Sequence, residues 1–77
     1  MGTIKDRIEI NPEIMGGKPV IKGTRVPVEI IIGSFAGGMS IEEIKKEYGI
    51  NEEDIKAAFR YAAEILSQEK VYEVSTG

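Results

Sequence analysis

The stretch that decides the fold runs from Ser40 to Leu66, SIEEIKKEYGINEEDIKAAFRYAAEIL. Ser40 with Glu43 three residues later is a capping box. The hydroxyl accepts from the amide three residues on, the carboxylate reaches back, and a helix begins there. Ile41, Ile44 and Tyr48 give that helix its apolar stripe. Gly49 is placed to take the left-handed conformation just past its end. Asn51 and Asp54 then repeat the cap for another helix, whose buried face is Ile55, Ala58, Phe59, Ala62 and Leu66. A short helix, a glycine turn and a longer helix at this spacing have the pattern of a helix-turn-helix.

Upstream, Val28, Ile31, Ile32 and Phe35 recur at i, i+3, i+4 and i+7, which predicts a helix started by Pro27 and stopped by Gly37 and Gly38. Before Pro27 the period is two. Arg7 to Ile10 reads as a short strand ended at Asn11-Pro12, and Val20-Ile21 as a second strand, with Gly16 and Gly17 free to reverse the chain. The expected fold is mostly α and a single domain. It comprises a β-arm or hairpin and basic turn over 1–26, helices over 27–37, 40–49 and 51–67, and a tail over 68–77.

A chain of 77 residues buries only about 60% of its unfolded surface, so its core is small. Self-association would supply the missing burial. Ile30, Tyr61 and Ile65 fall off the helical stripes and, with Ile8 and Ile10 of the arm, are the expected homodimer interface. The sequence has no cysteine and no histidine, which removes disulfides, thiolate chemistry, the commonest general base and the commonest zinc ligand. No catalytic residue, metal, cofactor or small-molecule substrate is expected, and the chain reads as a non-enzyme. No run of about 18 apolar residues and no basic-apolar leader is seen, so a soluble cytoplasmic protein without membrane contact is expected.

The net charge of −3 is unevenly spread. Residues 1–28 carry +2 and residues 29–77 carry −5, so an anionic partner would be met by the N-terminal third. Three of the five basic groups there, Lys18, Lys22 and Arg25, sit in GGKPVIKGTRVPV, Gly16 to Val28. This is not a phosphate loop, because Gly17-Lys18 runs into Pro19 and not into a helix. Lys18, Lys22, Thr24 and Arg25 are the candidates for phosphate contacts, and Asn51, Lys56 and Arg60 of the last helix are candidate base readers. Glu52, Glu53 and Asp54 stand where that helix would enter a groove, and carboxylates there repel phosphate.

The order from Asn11 to Ala62 resembles the prokaryotic family called domain of unknown function 433. The resemblance rests on Gly17-Lys18-Pro19, Gly23-Thr24-Arg25, Pro27-Val28, the Gly-x-Ser-x-x-Glu run from Gly38 to Glu43, Tyr48, and Asp54-Ile55. It implies a homeodomain-like helix-turn-helix bundle with an N-terminal β-arm, usually dimeric. It also implies an antitoxin of VapBC type that binds operator DNA, represses its own operon and neutralises a PIN-like ribonuclease toxin. The alternative is an adaptor that binds no DNA and covers the basic groove of a PIN-like partner with its acidic helices.

Overall fold

The computed structural model describes residues 3–68; of the tail expected over 68–77, Gln68 closes the last helix and the rest lies outside the described residues. Its elements are three short strands, β1 (Thr3–Lys5), β2 (Ile8–Ile10) and β3 (Val20–Ile21), then three helices, α1 (Val28–Ala36), α2 (Ile41–Tyr48) and α3 (Glu52–Gln68). A 3-10 turn over Met15–Gly17 carries the chain from β2 back to β3.

The strands form one antiparallel sheet in the order β1-β2-β3. Ile8 lies opposite Ile21 in the register, and both are buried. The sheet therefore turns an isoleucine-lined face to the helices, as period-two alternation requires. Strand β1 had no clear sequence signal. Its hairpin with β2 turns on Asp6 and Arg7, both at positive φ (49° and 70°). Two-residue hairpins favour such backbone, but glycine or asparagine usually provides it. Gly16 and Gly17, expected to reverse the chain, do so at φ 67° and 90°.

The caps form as the sequence requires. Ser40 Oγ accepts from the Glu43 amide at 3.1 Å, while the Ser40 amide donates to Glu43 Oε1 at 2.8 Å. Asn51 and Asp54 make the same exchange ahead of α3, at 2.9 and 3.2 Å. Gly49 closes α2 at φ 66°. Pro27 caps α1, and its carbonyl accepts from Ile30 and Ile31.

The core joins Ile8 and Ile21 of the sheet to Val28 and Ile31 of α1, Ile44 of α2, Ile50 of the turn, and Ile55, Ala57 and Ala58 of α3. Helix α3 packs on α1, α2 and β2. Three expectations need correction. Ile8 was expected at a subunit interface, yet it is 2% exposed inside this core. Phe35 and Leu66, expected on buried faces, are 47% and 61% exposed. Phe35 sits near the end of α1, where its ring meets the Phe59 ring edge-on, centroids 5.3 Å apart. Leu66 lies on the last turn of a 17-residue helix that outreaches its 9- and 8-residue neighbours.

Candidate nucleic-acid and protein interface

The candidate readers on α3 are held by the fold itself. Arg60 donates to both carboxylate oxygens of Asp6, at 2.9 Å from Nε and 3.2 Å from Nη2. The strained β1–β2 turn thus presents Asp6 to α3 in the bidentate geometry that a phosphate would otherwise accept. Lys56 stands 3.7 Å from Glu52 and 4.0 Å from Glu53 on its own helix. The Asn51 side chain accepts the Asp54 amide as the α3 cap.

Two more ion pairs pin the hairpin along α3. Lys5 meets Glu64 at 2.8 Å and Arg7 meets Asp54 at 3.1 Å. Lys5, Asp6, Arg7 and Glu64 did not stand out in the sequence. Lys5 and Glu64 are 59 positions apart and Asp6 and Arg60 are 54 apart, so no local spacing could have joined them.

Hydrogen bonds from Arg60 hold the Asp6 carboxyl below its usual range, and the hydrogen bond to Glu64 raises the Lys5 ammonium above its own. A depressed carboxyl pKa contributes stability above the unfolded value of about 3.9, which is lost as pH falls through the lower folded value. Asp6→Asn removes the charge and keeps a residue tolerant of positive φ. Wild type should therefore melt above Asp6→Asn at neutral pH, and the gap should close as pH falls below the ordinary carboxylate range. A gap independent of pH would show that the Asp6–Arg60 pair does not titrate with the fold.

The basic turn divides into structural and free groups. Thr24 Oγ1 donates to the Ile21 carbonyl at 2.7 Å and accepts from the Val26 amide at 3.0 Å, so this hydroxyl builds the turn. Lys18 pairs with Glu29 at 2.8 Å. Lys22 and Arg25 are exposed and form no ion pair among the described residues. Their backbone is fixed, with the Lys22 amide donating to the Arg7 carbonyl at 2.8 Å and the turn closed by Ile21 donating to Val26.

The opposite charge collects on α2, its turn and the start of α3. From Ser40 to Asp54 there are six acids and two lysines. Glu42, Glu47, Glu52 and Glu53 are exposed, whereas Glu43 and Asp54 are committed to caps. Of the expected interface residues, Ile30 (41%) and Ile65 (37%) are exposed, and Tyr61 and Ile10 are half-buried. No group of three or more acids that could hold a metal ion occurs among the described residues, and no helix there is long and apolar enough to cross a membrane.

These features define a small α-rich domain, three helices behind a short antiparallel sheet, with a basic turn and an acidic helical surface. Residues 8–62 match the family model described as Protein of unknown function (DUF433), and the chain belongs to that family. It is 35% identical over 63 residues to the uncharacterized protein y4eO of Sinorhizobium fredii (strain NBRC 101917 / NGR234), a match covering 80% of this chain and 28% of that protein. It is also similar to the crystal structure of a DUF433 member protein from Anabaena variabilis ATCC 29413. The TM-score there is 0.75 at 31% identity, covering 83% of this chain and 64% of that one. The chain thus spans less than two thirds of either relative.

Proposed function

We propose that this chain is a non-catalytic protein-binding adaptor of the antitoxin type, presenting its acidic α2–α3 surface to the basic groove of a PIN-like ribonuclease. The observation that carries this reading is the engagement of the α3 readers. Arg60 is satisfied by Asp6, Lys56 lies beside Glu52 and Glu53, and Asn51 caps the helix. A recognition helix needs such groups free to meet base edges, and carboxylates at its entry oppose phosphate. A basic, RNA-binding groove is instead the surface such carboxylates complement. Co-expression with a PIN-like nuclease encoded beside this chain should give a complex that survives purification at low salt and loses ribonuclease activity. Separate elution with undiminished activity would defeat the adaptor.

The second reading is DNA contact, as in an autorepressor with a homeodomain-like helix-turn-helix. Lys22 and Arg25 favour it in one form, because two free cations on a fixed turn can lie on phosphates. Such contact would be independent of sequence. The double variant Lys22→Ala, Arg25→Ala should then lower the salt slope of duplex binding by about 2, equally for operator and random DNA. A wild type that discriminates strongly between sequences, and loses that discrimination on Arg60→Ala, would reinstate α3 as a reader.

A further inference from the structure

The turn between β1 and β2 is built against backbone preference. Asp6 and Arg7 stand at φ 49° and 70°, and non-glycine residues rarely take positive φ. Asparagine followed by glycine would make such a turn with less strain. What that pair would not supply is side chains for α3. The Asp6 carboxylate fills the Arg60 fork at 2.9 and 3.2 Å, and the Arg7 guanidinium meets Asp54 at 3.1 Å. Strain of this kind persists where the surroundings over-determine it, and it gathers at switches and ligand clamps. We infer that Arg60 is the anchor of a latent phosphate site, and that Asp6 occupies this site from within the chain as an autoinhibitory latch.

Three observations fit a latch that can open. The first is shape. A carboxylate seated bidentately on a guanidinium presents two oxygens where a phosphate would present two, so the same fork accepts either. The second is access. The Arg60 and Asp6 side chains are 54% and 45% exposed, so a phosphate can approach from solvent, and an ion pair this exposed holds weakly. The third is the neighbourhood. Lys5, Arg60 and Tyr61 line one small depression together with Asp6, Ile8 and Glu64. Once the Asp6 carboxylate turns away, a phosphate in that depression faces the Arg60 guanidinium with the Lys5 ammonium beside it.

Opening moves little of the fold. Ile8 is buried in the core opposite Ile21, and the Arg7 carbonyl accepts from the Lys22 amide at 2.8 Å, so β2 stays where it is. A rotation of the Asp6 side chain suffices. The latch uses none of Glu47, Glu52 and Glu53, so it and the acidic nuclease contact can fail separately.

The test compares the full wild-type chain with Asp6→Gly, which empties the fork and accepts positive φ freely. Asp6→Asn, which keeps the shape of the side chain without its charge, is the second variant. Glu13→Gln makes the same change in net charge at an exposed position outside the depression. Inorganic phosphate or a short single-stranded oligonucleotide is added at constant ionic strength, with circular dichroism as the check on folding. Binding is read from the Arg60 Nε–Hε resonance and from the backbone amides of the β1–β2 turn. Removing the latch should tighten binding about tenfold or more, the factor by which the closed state outweighs the open one. Wild type and Glu13→Gln should respond only at correspondingly higher concentrations. A response to inorganic phosphate supports the site with the free ion as its ligand, and a response to the oligonucleotide alone supports it with a backbone phosphodiester. Folded Asp6 variants that respond to neither overturn the latch. So does an equal gain in Glu13→Gln, or a gain at the turn amides that persists in the double variant Asp6→Asn, Arg60→Ala.

Discussion

Replacing Ile44 with alanine should destabilise the domain by about 3 kcal/mol, within the range for large-to-small changes at fully buried sites. Ile44 is 0% exposed and is the one fully buried side chain that α2 gives to the core. Its loss removes the anchor holding α2 against α1 and α3 as well as leaving a cavity. Domains of this size hold roughly 4–12 kcal/mol in total, so a substantial share disappears. At about 5 °C per kcal/mol, the melting temperature should drop by about 15 °C. Ile44→Val, which removes one methylene, should cost only about 1 kcal/mol. A fall of less than about 5 °C for the alanine variant, measured by circular dichroism, would mean that α2 is not docked through this residue.

Gly49→Val should cost about 2 kcal/mol for a different reason. A Cβ at Gly49 meets no atom within 4 Å, so no clash contributes. The penalty is conformational, because φ is 66° and a β-branched residue is an outlier there. The turn between α2 and α3 must then re-form or strain. Gly33 gives the contrast. With the same open space but helical φ, Gly33→Ala should stabilise the isolated fold by about 0.5–1 kcal/mol. Equal effects at the two glycines would contradict the assignment of backbone strain to Gly49 alone.

What the sequence disclosed follows from the range of each interaction. Ser40 with Glu43, Asn51 with Asp54, Pro27 and Gly49 act within four residues of themselves, and each marks a helix end that the structure keeps. The β1–β2 hairpin was hidden because its turn uses Asp6 and Arg7 where glycine or asparagine would have signalled it. The clamp on Arg60 was hidden because its partner lies at the other end of the chain. Arg60 as a side chain type suits guanine, and only the fold shows that a carboxylate already fills its fork. Periodicity likewise names the face on which Leu66 lies but not whether another element reaches that far.

The acidic α2–α3 surface as a protein-binding face is tested most directly by titration calorimetry. Wild type and the triple variant Glu47→Gln, Glu52→Gln, Glu53→Gln would each be titrated into a PIN-like ribonuclease with which the chain co-purifies, at two salt concentrations. The triple variant leaves Ser40, Glu43, Asn51 and Asp54 in their caps, so the helices persist. Charge pairs across protein interfaces couple by about 1.5–7 kcal/mol, so losing three carboxylates should weaken binding by at least about 100-fold and flatten its salt dependence. An affinity and salt dependence equal to those of wild type would contradict the assignment of this surface.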